Sequence, residues 1–188
     1  MNTISERPTL ETSRLILRPF SMSDAEEVRR LGGDIRVAEQ LSLMPHPYPE
    51  GRAEEWISTH EEQFESGEDL IFAICEKRSG ELMGSMGLHP KPDQLRSEVG
   101  YWLGVPFWGK GYATEALQEV IRFGFEERGF QRIFASHFAT NPASGRVMEK
   151  AGMKLEGVSR WGCSRFGEMK DAVLRAIVKP DWELINER

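Results

Sequence analysis

The chain has 188 residues, 39% of them hydrophobic and 29% charged, with 24 Lys and Arg against 30 Asp and Glu for a net charge of −6. That length buries one core, so we expect a single domain over 1–188 with its core at about 10–180. No apolar run approaches the ~20 residues of a membrane span, the first residues lack a signal peptide's apolar stretch, and the acidic balance argues against a nucleic-acid binder. A cytoplasmic protein with neither nucleic-acid nor membrane partner is expected. Its mild acidity serves solubility before it steers any cationic acceptor.

Cys75 and Cys163 are the two cysteines and lie far apart. They suit neither a zinc site nor a disulfide framework, and no metal is expected. Cys75, inside Leu70-Ile-Phe-Ala-Ile-Cys75, reads as core. Cys163 falls in a polar, turn-like stretch.

Leu15-Ile-Leu-Arg-Pro19 predicts a short strand that stops at the proline. Ser23 reads as the N-cap of a helix that ends before Gly32-Gly33. Three prolines between residues 42 and 51 predict an irregular loop. Arg52 to Ser66 reads as a helix, with Trp56, Ile57, His60 and Phe64 on one face. The period then changes to that of strands. Leu70–Lys77, Glu81–His89 and Leu95–Gly104 form an antiparallel meander, with a turn at Ser79-Gly80 and a loop from Pro90 to Gln94. Tyr112–Arg128 is the longest helix, burying Ala113, Ala116, Leu117, Val120, Ile121 and Gly124. A strand at Gln131–Phe138, a helix at Pro142–Ala151, and strands at Met153–Arg160 and Glu168–Val178 follow, the last two joined around Phe166-Gly167. The strand–helix–strand at 95–138 implies a right-handed parallel crossover in the middle of the sheet. The fold class is α/β (α+β): one mixed, mostly antiparallel sheet covered by helices.

The most informative stretch runs from Ser97 to Ala116. An apolar strand ends, glycines at 109 and 111 make a turn, and a helix starts at Tyr112. Glycine lets successive backbone N–H groups face one concavity. The helix adds its unpaired N–H groups and the positive end of its dipole. This is an anion site suited to a phosphate or pyrophosphate. No Gly-Lys-Ser/Thr run and no Gly-x-Gly-x-x-Gly accompanies it, which weakens a nucleotide-binding reading.

With the order of elements, four motifs carry a resemblance: Arg14-Leu-Ile-Leu-Arg18, Val99-Gly-Tyr-Trp-Leu103, Trp108-Gly-Lys-Gly-Tyr-Ala-Thr-Glu-Ala116 and Asn141-Pro-Ala-Ser144 with Glu149-Lys-Ala-Gly-Met153. The chain resembles the GCN5-related N-acetyltransferases (GNAT), in the branch that holds bacterial ribosomal-protein N-terminal acetyltransferases. The resemblance covers about residues 10–180 and implies acetyl transfer from acetyl-CoA to an amine. The acceptor is a protein N-terminus or a small molecule such as an antibiotic, polyamine or amino acid. A non-catalytic acyl-CoA sensor on the same fold is the alternative of another class. Family habit implies a monomer or homodimer.

The resemblance also distributes roles. Backbone N–H groups of Gly109, Lys110, Gly111, Tyr112 and Ala113, with Trp108 and Thr114 beside them, would cradle the pyrophosphate; Trp108 stands where the family has Gln or Arg. A bulge over Trp102–Val105 would splay the central parallel strands, and the Leu103 N–H would polarise the thioester carbonyl. Asn141 would meet the pantetheine arm, and Ser144 would protonate the leaving thiolate. Asn141 also reads simply as a helix N-cap. Glu98 is the first candidate for the general base, with a water relay as alternative. Some relatives place a Glu in the late hairpin where this chain has Cys163; Glu168 and Asp171 are offset from it. Nothing marks His46, His60 or His89 as a base, and His137 reads as structural. The acceptor's walls would be Pro45–Glu50 with Trp56, facing Arg160-Trp161 and Arg165-Phe166.

Overall fold

A computed structural model describes residues 6–93 and 95–186. The remaining residues, including Gln94 and the first five, lie outside the description, and with them the expectations made for the chain's start and the end of the 90–94 loop. The strands are β1 (Leu10–Glu11), β2 (Leu15–Arg18), β3 (Leu70–Glu76), β4 (Leu82–Pro90), β5 (Arg96–Leu103), β6 (Arg132–Phe138), β7 (Lys154–Arg165) and β8 (Glu168–Val178). They form one sheet in the order β1-β2-β3-β4-β5-β6-β8-β7. Among the described residues only β5 and β6 pair in parallel, joined by the crossover helix α5 (Tyr112–Glu126). The mixed, mostly antiparallel sheet is therefore as expected.

Among the described residues, seven α-helices cover it. One face carries α5, α6 (Pro142–Lys150) and α7 (Lys179–Asn186). The other carries α1 (Ala25–Gly32), α2 (Ile35–Ala38), α3 (Arg52–Ser58) and α4 (His60–Glu65). Strand alternation sorts the core between them. Leu15, Leu17, Phe72, Ile74, Met86, Leu88, Val99 and Leu103 pack with Ala116, Leu117, Val120 and Ile121 of α5. Ala73, Cys75 and Leu82 pack with Phe20, Val28, Ala53 and Ile57 under α1 and α3.

Several details correct the sequence reading. Ser23 is not the N-cap of α1. A 3-10 turn at Met22–Asp24 precedes that helix, and the buried Asp24 carboxylate accepts the Ser21 N–H at 2.8 Å and both Arg18 guanidinium nitrogens at 2.8 Å. Burial alone would raise the Asp24 carboxyl, but the bonds from Arg18 and Ser21 hold it below the ordinary carboxylate range. Asp24 outcompetes the serine because it ties β2 to α1. β1, α2 and α7 were not anticipated: two are too short for periodicity to register, and α7 is amphipathic only through Trp182, which packs on Phe125 at 5.6 Å. β7 continues through the expected turn to Arg165, so Cys163 sits on a strand opposite Lys170.

His60 is 2% exposed, and neither ring nitrogen has a partner. It packs edge-on against Trp56 at 4.4 Å and Phe20 at 5.6 Å. Burial, reinforced by the Arg7 charge, pushes its pKa down to about 4. A base with a depressed folded-state pKa is protonated first in the unfolded chain. Stability should therefore fall as pH drops from about 6.5 to about 4, by up to about 3 kcal/mol. Urea melts across that window should show the loss in the native protein and a flatter profile in His60→Leu.

Candidate active site

The site is built around the parting of β5 and β6. Their parallel pairing runs Arg96↔Arg132, Ser97↔Ile133 and Glu98↔Phe134, then stops. β5 stays in register with β4 as far as Leu103↔Gly84, while β6 stays with β8 as far as Phe138↔Ala172. A wedge therefore opens beyond Glu98.

The expected bulge over Trp102–Val105 is absent from the ladder: β5 opposes β4 residue for residue to its end. The irregularity lies one strand away, where Met83 is the extra residue of β4 against β3. The splay frees N–H groups by divergence instead. Gly104 N–H donates to the Met83 carbonyl at 2.9 Å. By alternation, the N–H groups of Trp102 and Gly100 also face β4, and those of Leu103 and Tyr101 face the wedge. Gly84 permits the close approach there, since a Cβ on it would stand 2.1 Å from the Trp102 carbonyl oxygen.

Beyond β5, a 3-10 turn at Val105–Phe107 holds Pro106, which has no N–H to continue a ladder. Gly109 and Gly111 then take φ of +74° and +83°, conformations glycine adopts without strain. Gly111 is the N-cap of α5 and offers no side chain to its first turn. Among the described residues, no acceptor meets the N–H groups of Gly109, Lys110, Gly111, Tyr112, Ala113 or Thr114. Free N–H groups beside the positive end of a helix dipole are the elements of an anion site. The Trp108 indole N–H turns inward and donates to the Leu103 carbonyl at 2.7 Å, so it braces strand to turn. Val105 precedes Pro106 in the same connection.

Arg14 supports this turn from below. Its guanidinium donates to the Lys110 carbonyl at 3.0 Å, bonds Glu115 at 2.6 Å and lies 4.6 Å over the Tyr112 ring. Glu115 also accepts from Thr12 Oγ1 at 2.6 Å and Ser13 Oγ at 3.0 Å. Burial would raise its carboxyl, and those bonds outweigh burial and lower it. The sequence held Arg14 only as part of a motif; its partners lie about a hundred positions along, beyond the reach of any local pattern.

Across the wedge, Asn141 caps α6, its Oδ1 accepting the Ser144 N–H at 3.2 Å. The Ser144 hydroxyl lies 2.8 Å from the Tyr101 hydroxyl, which also reaches the Ser144 carbonyl at 3.2 Å. Burial raises the Tyr101 phenol to about 12, the bond to Ser144 opposing it, so the ring is neutral. Tyr101 was missed. Its signal was available in the alternation of Val99-Gly-Tyr-Trp-Leu103, which puts it on one face with Leu103.

Glu98 and Trp102 point to the other face of β5. Glu98 stands at the last parallel rung, five residues or about 16 Å before Leu103, and accepts from Lys91 at 2.8 Å. The two expected acceptor walls meet. His46 packs on Phe166 at 6.4 Å, and the buried Arg165 donates to the Met44 carbonyl at 2.6 Å. Arg165 thus clamps the loop to the hairpin. Trp161 is exposed on an irregularity of β7, where the Asp171 carboxylate accepts its N–H at 2.8 Å. His137 packs its ring on Gly145 and bonds a backbone carbonyl. Both Asp171 and His137 hold backbone in place.

A family model described as "Acetyltransferase (GNAT) domain" matches residues 14–154. The chain is 32% identical over 174 residues to YoaA of Bacillus subtilis strain 168, described as an uncharacterized N-acetyltransferase; the match covers 92% of this chain and 98% of that one. In fold it is similar to the ribosomal L7/L12 alpha-N-protein acetyltransferase RimL in complex with coenzyme A (TM-score 0.83, 18% identity, 91% and 98% of the two chains). It is likewise similar to the microcin C7 self-immunity acetyltransferase MccE in complex with acetyl-CoA and AMP (TM-score 0.80, 21% identity, 89% and 93%). The chain therefore belongs to the GNAT acetyltransferase family.

Proposed function

We propose that this enzyme transfers the acetyl group of acetyl-CoA to the primary amine at a protein or peptide N-terminus, in a ternary complex. The observation that carries the reading is the wedge itself: a free strand edge with an outward N–H at Leu103, an anion cradle at one end and a hydroxyl on the far side. Acetyl-CoA supplies an acyl group on a good thiolate leaving group. Gly109 to Ala113 bind its pyrophosphate through their N–H groups, flanked by Trp108 and Thr114, with Lys110 adding charge. The edge of β5 at Trp102, Leu103 and Val105 and the side-chain amide of Asn141 guide its pantetheine arm.

Leu103 donates its N–H to the carbonyl oxygen on which charge develops. Ser144 gives its proton to the departing sulfur. Tyr101, neutral through burial, donates to the Ser144 carbonyl and holds the Ser144 hydroxyl in place 2.8 Å from its own oxygen. Glu98, on the opposite face, attracts the cationic amine. The wall of Pro45–Glu50 against the β7–β8 hairpin shapes the acceptor groove. The fold likeness to RimL supports a peptide acceptor, and the likeness to MccE makes small amines the second class to assay.

Thiol release from acetyl-CoA should occur with peptides bearing free Ala or Ser N-termini. Preference for polyamines, amino acids or aminoglycosides would reassign the acceptor, and silence with acetyl-CoA still bound would favour a sensor. Ser144→Ala should lower kcat by about a hundredfold with little change in acetyl-CoA Kd. Equal turnover would remove Ser144 from the chemistry.

Tyr101→Phe should cost about 1 kcal/mol of stability and lower kcat about tenfold at unchanged Kd, seen by denaturant melts and steady-state rates. Gly111→Ala adds a side chain at φ +83°, 3.4 Å from the Arg14 guanidinium. The strain of about 1–2 kcal/mol should weaken coenzyme A binding about tenfold by calorimetry.

A further inference from the structure

The acceptor face holds a second pair of groups that no motif announced. His89, near the end of β4, bonds Asp69 through Nδ1 at 2.6 Å. Asp69 lies just before β3, with its own N–H anchored to the Gln63 carbonyl at 3.1 Å. A carboxylate at Nδ1 fixes the proton there and leaves Nε2 with its lone pair bare. The place to which Nε2 points is set by two glycines. His89 opposes Glu98 in the β4–β5 register, and Gly87 opposes Gly100. The ring lies over that glycine pair: Nε2 is 3.3 Å from where a Cβ on Gly87 would stand and 3.4 Å from one on Gly100. Any larger side chain there would crowd the imidazole. Gly100 is three residues, about 10 Å, from Leu103 along β5. That gap accommodates an amine nitrogen and one bridging water. Glu98 starts further back and is tied to Lys91.

We propose that His89, held by Asp69, is the general base that takes the proton of the acceptor amine; this rests on the acetyl-transfer reading. The ammonium first loses a proton to water; as the neutral amine nitrogen then bonds to the acetyl carbon, its second proton passes to Nε2 directly or through one water. The carbon–sulfur bond breaks, the electron pair stays on sulfur, and sulfur takes the Ser144 proton. His89 then returns its proton to solvent as the serine is reprotonated. His89 is the catalytic residue and Asp69 a positioning residue that sets the tautomer and stabilises the imidazolium, as in other carboxylate–histidine pairs. The charged groups facing the ring are Asp69, Glu98 across the strand, and Lys91 through Glu98. Asp69 also acts on the buried His60, where its charge opposes that of Arg7.

The test follows thiol release against pH for the native enzyme, His89→Gln, Asp69→Asn and Glu98→Gln. His89→Gln should lower kcat about a hundredfold, keep acetyl-CoA Kd, and lose the acid limb due to the imidazole while keeping that of the amine. Asp69→Asn should slow turnover and move the His89 proton from Nδ1 toward Nε2 in nitrogen-15 spectra. Glu98→Gln should raise KM for the amine and keep the limb. An unchanged rate and profile in His89→Gln overturns the proposal. Nitrogen-15 NMR of the native imidazoles gives a check independent of turnover: His89 should carry its proton on Nδ1, and an Nε2-protonated ring overturns the proposal even if no acceptor is found. A native enzyme silent toward every amine would instead sink the acetyl-transfer reading, leaving the tautomer to judge the pair.

Discussion

Everything in this site follows from two neighbouring strands that cannot stay together. β5 is bound to β4 through Leu103, and β6 to β8 through Phe138. Each strand keeps its antiparallel partner, so the parallel pair between them gives way after three rungs. The N–H groups of Tyr101 and Leu103 then face a gap instead of a strand. Unpaired backbone groups in a sheet interior are costly, and a ligand that presents a carbonyl in the gap relieves that cost. The architecture proposed to bind the substrate is thus one that leaves the sheet incomplete on its own.

The wedge also separates charge types. Between β5 and α6 the side chains are neutral: the buried Tyr101 phenol, the Ser144 hydroxyl and the Asn141 amide. On the other side lie Asp69, His89, Glu98 and Lys91, all partly exposed. A thiolate needs a nearby proton in a dry setting, whereas an ammonium must be attracted and deprotonated from water. The proposed transfer would draw on both surroundings, and the alternation of β5 separates them residue by residue: Tyr101 and Leu103 to one face, Glu98 and Gly100 to the other.

What the sequence made legible was the part written locally. The glycine turn before α5, the Asn-Pro start of α6 and the period-2 stretches of β3, β4 and β5 each declare themselves within ten residues, and each is where it was expected. The short elements β1 and α2 have no period to read. The β7 strand hid behind its own irregularity at residues 160–162, where polar and aromatic residues imitate a turn. The site was legible to the extent that it is backbone. Its side-chain pairs were not: Tyr101 finds Ser144 43 positions away, Arg14 finds the carbonyl of Lys110 96 away, and His89 finds Asp69 20 away.

The expectation of a bulge in β5 shows how a sequence can mark a freed N–H and misplace its cause. A bulge and a splay both free an N–H, and a motif that ends in Leu103-Gly104-Val105-Pro106 is compatible with either. Pairing decides between them. Because Gly84 lets β4 press against Trp102 and Leu103 with no room for a Cβ, β5 is held straight to its last residue, and the divergence must be taken up on its other edge. The glycine of one strand thereby determines where the neighbouring strand offers its hydrogen bonds. A larger residue at position 84 would act on the active site without touching substrate, by loosening the one ladder that keeps the wedge open.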